Sequence, residues 1–325
     1  MVYSKSKFFN IFRISFLFLI LNFSIGAQNQ WSSPNRISSS DLNTVAFINN
    51  EQGWIGGDGG LLLRSIDSGK TWIKQSINSK ENINEVYFRN EDNGFILAGD
   101  RLFMMIDGSD WREQSLFTKN SFPGKSVEFY SIRFSDKKRG WIVGSINQNE
   151  TVVDSILMKT EDSGVSWKRV IVPTKVELIH LDFVNEFRGW IVGDKGTILT
   201  TEDAGRSWIT QVTKTEATIY SVDFRNENEG IAVGSKGLIL RTEDGGRNWI
   251  NATTKYPNTL WRVSYPDEKR LWVAGRNGTI LFSNDKGKTW NKQTVNATEN
   301  LFGFFLGKKQ AWAVGAKGIV LSYQR

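Results

Sequence analysis

The sequence predicts an all-β protein: a seven-bladed β-propeller of four-stranded antiparallel blades, in which the N-terminal strand completes the last blade. Three observations predict this fold. A unit with a conserved pattern of glycine and tryptophan recurs along the chain, each unit contains four short apolar runs, and two series of markers both count seven units. The two series are offset, so that one unit is divided between the two ends of the chain.

The clearest copy of the repeat runs from Leu178 to Trp208. It contains a six-residue apolar run, a second run that ends in Val-Gly at Gly193, a two-residue turn at 194–195, a third run, and a fourth run that starts near Trp208. Short runs rich in Val, Ile, Phe and Trp and bounded by Gly or Asn are typical of β-strands. Four such strands in some 40 residues match the size of a propeller blade.

Seven blades are counted in two independent ways. The first strands begin near residues Leu42, Ile83, Phe129, Leu178, Ile219, Leu260 and Leu301. The tryptophans of the fourth strands are Trp31, Trp72, Trp111, Trp167, Trp208, Trp249 and Trp290.

The offset between these series predicts how the ring closes. A first strand follows the preceding tryptophan by 11 residues after Trp31, as it does after Trp72 and Trp208, whereas the unit that begins at Leu301 reaches the end of the sequence without its tryptophan. We therefore expect Trp31 to supply the missing strand of the last blade. Such closure removes an open sheet edge, whereas an open solenoid has no reason to divide one unit between its ends.

The first 27 residues predict a secretory signal peptide rather than part of the fold. Lys5, Lys7 and Arg13 precede the apolar run 14–21, and a small residue, Ala27, follows. A basic segment, a short apolar core and a small residue at the cleavage site are the features of such signals. We expect cleavage after Ala27, a propeller over residues 28–325, and a secreted or periplasmic protein; an uncleaved membrane anchor is the alternative.

The composition excludes several classes of function. The chain has no Cys, so it contains neither disulfides nor a thiol nucleophile, and its single His argues against a typical zinc site. Its net charge of +7 includes the three basic residues of the signal and is spread along the chain, which does not favour nucleic-acid binding. We expect no cofactor and no metal.

Five units carry a turn of the form Ser/Thr-x-Asp-x-Gly-x-x-Trp. Its carboxylates are Asp67, Asp162, Asp203, Asp244 and Asp285, and its tryptophans are Trp72, Trp167, Trp208, Trp249 and Trp290. Blade two has a shortened version over 106–111. An Asp can cap its own turn, a Gly two residues later supplies a positive φ, and the Trp contributes apolar area between blades. Because the copies lie in different blades, we expect them to be structural rather than a calcium or catalytic site.

These motifs resemble the repeat of the photosystem II stability/assembly factor-like proteins, within the broader group of Asp-box (bacterial neuraminidase repeat) propellers. Residues 193–208, 234–249 and 275–290 match the repeat best, and the resemblance covers the whole chain after the signal. The resemblance implies an exported, non-catalytic ring that helps to assemble a membrane or envelope protein complex. In photosynthetic members a basic patch on the ring binds newly made photosystem subunits.

The alternative is a carbohydrate-binding or glycoside-hydrolysing propeller, since Asp-box proteins include sialidases. The Arg-Ile-Pro signature of sialidases is not matched, because the nearest string is 36–38, Arg-Ile-Ser. A glycosidase needs two convergent carboxylates, and Asp58, Asp100, Asp194 and Glu150 show no diagnostic spacing. We interpret His180 as a polar residue that lines the channel, with a catalytic base as the alternative.

The face opposite the Asp boxes is the predicted partner-binding face. Successive turns carry basic residues, and aromatic residues lie near the starts of the inner strands; the predicted site consists of Arg101, Lys195, Lys236, Arg262, Arg276, Lys317, Tyr130, Tyr220 and Trp261. A basic rim around aromatic residues suits a polypeptide or an acidic segment. We expect a protein partner, peripheral membrane contact at most, and a monomer.

Blade three departs from the repeat twice on this face, with insertions over 112–128 and 145–154. Loops carry function on rigid scaffolds, so the insertions are either part of the binding face or neutral surface additions.

Overall fold

A computed structural model describes residues 30–324, apart from 106, 107, 109, 119, 120, 253, 308 and 309. The predicted signal peptide and half of the shortened box of blade two, residues 106, 107 and 109, therefore lie outside the described residues. Within the described part of the chain, seven four-stranded antiparallel sheets form the blades of a propeller. No helix in that part is long and apolar enough to cross a membrane.

The strands follow one another from the central channel outward in each blade. Blade one contains β2 (Leu42–Phe47), β3 (Gly53–Gly57), β4 (Leu62–Ser65) and β5 (Ile73–Gln75). Blade two contains β6 (Ile83–Asn90), β7 (Asn93–Ala98), β8 (Arg101–Met105) and β9 (Trp111–Gln114). Blade three contains β10 (Ser126–Phe134), β11 (Gly140–Gln148), β12 (Thr151–Thr160) and β13 (Lys168–Val170).

Blades four to six repeat this order, and their first three strands are shorter than those of blade three. Blade four contains β14 (Leu178–Phe183), β15 (Gly189–Gly193), β16 (Ile198–Thr201) and β17 (Ile209–Gln211). Blade five contains β18 (Ile219–Phe224), β19 (Gly230–Gly234), β20 (Ile239–Thr242) and β21 (Ile250–Asn251). Blade six contains β22 (Leu260–Ser264), β23 (Leu271–Gly275), β24 (Thr279–Ser283) and β25 (Asn291–Lys292). Short 3₁₀ turns span Asp58–Gly60, Ser235–Gly237 and Ala316–Gly318.

Blade seven joins the two ends of the chain, as the offset of the two series predicts. It contains β26 (Leu301–Leu306), β27 (Gln310–Gly315), β28 (Ile319–Gln324) and, as its outermost strand, β1 (Asn35–Arg36). Trp31 forms an antiparallel bridge with Tyr323, and the amide of Ser32 donates to the carbonyl of Ser322 at 2.7 Å. The inner strands pack against one another in a closed cycle in which β26 returns to β2. The predicted closure is confirmed.

The core lies between blades and is sealed by a repeated sandwich of aromatic rings. Phe224, at the end of an inner strand, stacks on Trp190 of the preceding blade with ring centroids 3.4 Å apart, and Trp249 of its own Asp box packs edge-on against it at 5.8 Å. The Asp-box tryptophan is therefore only half of the seal. The second half comes from tryptophans on second strands, of which the sequence analysis took no account.

Each Asp-box carboxylate caps its own turn. In blade four, Asp203 accepts hydrogen bonds from the amide and the hydroxyl of Ser207 at 2.9 and 2.6 Å and from the Thr201 hydroxyl at 2.8 Å. Ala204 and Gly205 both have positive φ, 61° and 68°. The equivalent bonds recur in the other four boxes, so each carboxylate is occupied by its own turn and none points to a shared ligand.

Candidate functional site

The inner strands share one irregularity, which shapes the mouth of the channel on the face opposite the Asp boxes. In every blade the register of the inner strand skips one residue. Such a bulge leaves one residue unpaired in the ladder and re-aims its side chain. The seven residues are Asn43, Asn84, Tyr130, Ile179, Tyr220, Trp261 and Phe302, and together with Glu177 and Arg262 they line a cavity of about 250 Å³ that we call the cup.

The glycine that ends most second strands makes this bulge possible. A Cβ on Gly193 would lie 2.1 Å from the carbonyl oxygen of Glu177, at the start of the paired inner strand. Only a residue without a side chain tolerates such an approach. The Val-Gly signature of the repeat is therefore the local cause of the bulge and of the side chain that it directs into the cup.

The cup has a polar side and an aromatic side. On blades one and two, Asn43 donates to Asp58 at 2.9 Å and to the carbonyl of Ile83 at 3.2 Å, and Asn84 donates to the carbonyl of Phe129 at 2.9 Å. These amides are committed to joining neighbouring blades.

The remaining five blades contribute Tyr130, Ile179, Tyr220, Trp261 and Phe302, all half-buried. The Trp261 and Phe302 rings meet edge to face with centroids 5.0 Å apart. The Tyr130 hydroxyl donates to Glu177 at 2.6 Å, and burial, followed by this bond, raises the tyrosine pKa. The predicted Tyr130, Tyr220 and Trp261 thus lie together, whereas Ile179 and Glu177 were not predicted.

Below the cup lies a second cavity of about 330 Å³ that is lined by charged residues. Glu85 binds Arg133 at 2.6 Å and also accepts the amide of Ile132 at 2.7 Å. Arg133 lies 3.0 Å from Nε2 of His180, and burial, followed by the charges of Arg133 and Arg262, keeps the pKa of this histidine well below its usual value. His180 is therefore a neutral ring beside an arginine. Its position in the channel agrees with its interpretation as a polar residue that lines the channel.

Two further carboxylates lie deeper in the same cavity. Asp182 accepts the amide of Phe224 and Asp223 accepts the amide of Tyr265, each at 2.8 Å and each across to the next blade. Burial, and then the neighbouring Asp182, raises the pKa of Asp223 to about 8. Both groups are held by backbone donors of the ring, which is a structural arrangement. Among the described residues, no group of three His, Asp or Glu side chains is arranged to hold a metal ion.

The predicted basic rim is uneven. Lys195, Lys236, Arg276 and Lys317 are exposed, and they form no ion pair with any described residue. Arg101 is different, because it is half-buried and Glu113 on the next strand binds its guanidinium. Its charge is therefore neutralised locally, and the free positive charge of the face is concentrated on blades four to seven.

Arg262 connects the cup to the channel, since it lines both cavities. It is the one predicted basic residue that the structure places in contact with the aromatic side of the cup.

In blade three the second insertion forms strands rather than a loop. Residues 145–154 extend β11 and β12 into a long hairpin that turns at Asn149 and Glu150, both with positive φ. A two-residue turn with two positive φ values suits the twist of a hairpin. The inner strand β10 consequently begins at Ser126 instead of Phe129.

The first insertion covers one side of this hairpin and forms a separate hollow. Phe117 and Phe122 meet edge to face at 5.2 Å and, with Lys125 and Glu128, line a cavity of about 400 Å³ beside the cup. Blade three therefore forms a raised wall on the rim of the candidate site.

The carboxylates considered for glycoside hydrolysis are not brought together in either cavity. Asp58 is bonded to Asn43 and Asp194 to the Thr218 hydroxyl, while Glu150 lies at the tip of the blade-three hairpin and Asp100 lines the hollow beside the cup. The cup itself contains one carboxylate, Glu177. A position that could have been recognised from sequence is the residue after the predicted start of each inner strand, because the seven bulge residues of the cup occupy it.

Comparison with known families gives one match that extends along the chain. The family described as "Photosynthesis system II assembly factor YCF48" matches residues 19–106, 77–177, 104–208, 159–260 and 250–324. Among curated proteins, none matches this sequence.

Several solved structures share the fold. The structure titled "YCF48 bound to D1 peptide" is 20% identical, covers 92% of this chain and 96% of that chain, and has a TM-score of 0.74. YCF48 from Cyanidioschyzon merolae is 18% identical over 91% and 98% of the two chains, with a TM-score of 0.71. Virginiamycin B lyase from Staphylococcus aureus, an enzyme by its name, is 11% identical over 92% and 100%, with a TM-score of 0.74. At these identities the structural likeness establishes the fold alone.

Proposed function

Since this chain belongs to the family of the photosystem II assembly factor YCF48, we propose that it is an exported, non-catalytic propeller that binds a polypeptide and assists the assembly of a membrane or envelope protein complex. Membership supports the class of function, namely assembly by binding. The partner, the compartment and the binding face are the parts that this proposal adds.

The observation that carries the proposal is the asymmetry of the channel-mouth face. Five half-buried apolar or aromatic side chains form one side of the cup, and exposed, unpaired cations flank them on blades four to seven. Aromatic residues and arginine are the side chains enriched at protein-binding surfaces. A relative of the same family has been solved as "YCF48 bound to D1 peptide", which supports a peptide as the type of ligand.

The proposed export rests on the sequence of the N-terminal segment. Lys5, Lys7 and Arg13, the apolar run 14–21 and Ala27 form the pattern of a secretory signal. Export would place the ring next to envelope complexes. Detection of a mature N-terminus at residue 28 in the exported fraction tests this part.

We propose that the chain is not an enzyme because its channel carboxylates accept hydrogen bonds from the protein itself. A glycosidase needs two of them facing one substrate. Asp182 and Asp223 are bound to backbone amides of the next blade, and Glu177 accepts the Tyr130 hydroxyl. Turnover of any member of a panel of sialosides and glucans by the purified chain would contradict this part of the proposal.

The binding face is tested with two triple variants that make the same change of charge on opposite faces. Arg262→Glu, Arg276→Glu and Lys317→Glu reverse the charge beside the cup. The control replaces Arg206, Arg247 and Lys288 by Glu; these residues are exposed in three Asp boxes.

We expect the first triple variant to lose capture of a polypeptide from solubilised envelope membranes and the control to retain it. The double variant Arg276→Glu, Lys317→Glu guards against misfolding caused by a charge change at Arg262, and we expect it to weaken capture as well. Equal capture by the two triple variants would overturn the proposed face.

A further inference from the structure

Arg262 is a cation whose charge is not neutralised by the protein around it. Within the described residues it forms no ion pair, and its one hydrogen bond runs from Nη1 to the carbonyl of its neighbour Trp261 at 3.3 Å. A guanidinium has five N–H donors, so most of them have no partner here. A cation that is half-buried and not paired carries a desolvation cost that a ligand of opposite charge would offset.

The nearby acids do not fill this role. Both oxygens of Glu85 are occupied, one by Arg133 and one by the amide of Ile132. Glu177, across the cup, accepts the Tyr130 hydroxyl at 2.6 Å. Burial lowers the pKa of Arg262, and the adjacent charge of Arg133 acts in the same direction, against the opposing effect of Glu85. The position therefore favours an anion that approaches from the cup.

The walls and the size of the cup restrict what carries this anion. Trp261 and Phe302 present their rings beside Arg262, with Tyr220 on the next blade. The volume of about 250 Å³ is below the ~300 Å³ at which small-molecule sites usually begin. It suits one or two side chains of a longer chain. The half-buried cup residues form an open ring at the channel mouth, so an extended segment can cross it and continue over the face.

We propose that the cup holds an internal acidic side chain and an adjacent aromatic side chain of a polypeptide, with the carboxylate paired to Arg262 and the aromatic ring packed on Trp261 and Phe302. This inference rests on the proposed function and specifies its ligand. A carboxylate and a guanidinium form a charge-assisted, bidentate pair. A chain terminus carries the same carboxylate, and it is distinguished in the experiment below.

The test uses fluorescein-labelled hexapeptides and fluorescence anisotropy. The reference peptide is Gly-Ser-Glu-Phe-Ser-Gly-amide; the comparison peptides replace Glu by Gln, replace Phe by Ala, or end in Gln-Phe with a free carboxylate. We expect the wild-type chain to bind the Glu-Phe peptide about tenfold more tightly than the Gln-Phe peptide, which is the size of one good charge-assisted contact. We expect replacement of Phe by Ala to cost a similar factor.

The variants assign these preferences to residues. In Arg262→Gln the ratio between the Glu-Phe and Gln-Phe peptides should fall to about one, and in Arg262→Lys to an intermediate value, since a lysine keeps the charge and loses the bidentate geometry. The matched control Arg247→Gln, an exposed arginine in an Asp box on the opposite face, should keep the wild-type ratio. Trp261→Ala should weaken both peptides equally. Near-ultraviolet circular dichroism confirms that each variant is folded.

Four results would overturn the inference: no binding of any peptide by the wild-type chain, equal affinity for the Glu and Gln peptides, an unchanged ratio in folded Arg262 variants, or tighter binding of the peptide with the free terminus. If, in any of these cases, the wild-type chain still captures the envelope partner and the double variant Arg276→Glu, Lys317→Glu still captures it more weakly, the proposed function stands and only the ligand of the cup is wrong.

Discussion

Replacement of Trp31 by Ala tests how much of the stability of the ring depends on the strand that closes it. Trp31 is 7% exposed. Its ring lies 5.4 Å from that of Tyr323 and 5.9 Å from those of Trp272 and Phe304. These contacts join the N-terminal segment to blades six and seven. Loss of the indole therefore removes apolar area and also the anchor of the last strand.

The expected cost follows from burial. Truncation of a buried aromatic side chain to Ala costs about 3–5 kcal/mol. The strand Asn35–Arg36 is exposed and pairs with β28 at only two positions, so we expect the cost to lie at the upper end of this range and the melting temperature to fall by roughly 10 °C. The matched control is Trp261→Ala. This residue is half-buried in the cup, and we expect it to cost about 1 kcal/mol.

Urea unfolding followed by circular dichroism measures both variants. The account predicts a clear separation, in which Trp31→Ala is destabilised and Trp261→Ala is close to wild type. A loss smaller than about 1 kcal/mol for Trp31→Ala, or equal losses for the two variants, would refute the reasoning that the N-terminal segment seals the ring.

Three further predictions concern single residues. Gly205 has φ 68°, and a new Cβ there would lie 2.6 Å from an indole nitrogen, so Gly205→Ala should lower the free energy of unfolding by about 2–5 kcal/mol. Gly59 has φ 67° with open space around it, so Gly59→Ala should lower it by only about 1–2 kcal/mol. Urea unfolding measures both variants. Hydrogen bonds from Ser166 lower the pKa of Asp162 to about 2, so its stabilising effect is present above pH 4 and is lost as the pH falls towards 2; the stability difference between wild type and Asp162→Ala should shrink over that range. Burial raises the folded pKa of Asp223 to about 8. Between about pH 4 and about pH 8 this carboxyl is therefore ionised in the unfolded chain but protonated in the folded one, so the stability of the wild type falls as the pH rises. Asp223→Asn should gain stability relative to wild type over the same range.

Each of these predictions has a result that contradicts it. Equal costs for the two glycine variants would mean that the indole does not confine the turn at Gly205. A stability difference for Asp162→Ala that is constant between pH 4 and 2 would show that this carboxylate is not preferentially ionised in the fold. A relative stability of Asp223→Asn that does not change with pH would show that Asp223 is accommodated as an anion.

Much of the fold could be predicted from the sequence because its signals are local and repeated. The inner strands of six blades begin at the predicted residues, and Trp31 occupies its predicted place in blade seven. The exception is blade three, where the inserted residues 145–154 were taken for a loop. Ile146, Val152 and Val153 flank the turn and continue the strands, and these β-branched residues are the signal that could have predicted a hairpin.

The candidate site could be predicted only in part, because its properties depend on residues that are distant in the chain. The aromatic residues of the cup were found from their position near the inner strands. The neutralisation of Arg101 depends on Glu113 across a strand pair. The isolation of Arg262 depends on Glu85 being occupied by Arg133, which comes from another blade. The spacing of residues along the chain does not show which basic side chains are paired with acidic ones. Only their distances in the folded structure show this.

Site-specific photocrosslinking tests most directly whether the channel mouth is the protein-binding site. The photoreactive amino acid p-benzoylphenylalanine is placed in the chain either at Phe302, in the cup, or at Ile250, an exposed position on an outer strand. We expect irradiation to join a polypeptide partner to the chain labelled at Phe302 and not to the chain labelled at Ile250. A crosslinked partner from Ile250 alone, or none from Phe302 while the partner is still captured, would contradict it.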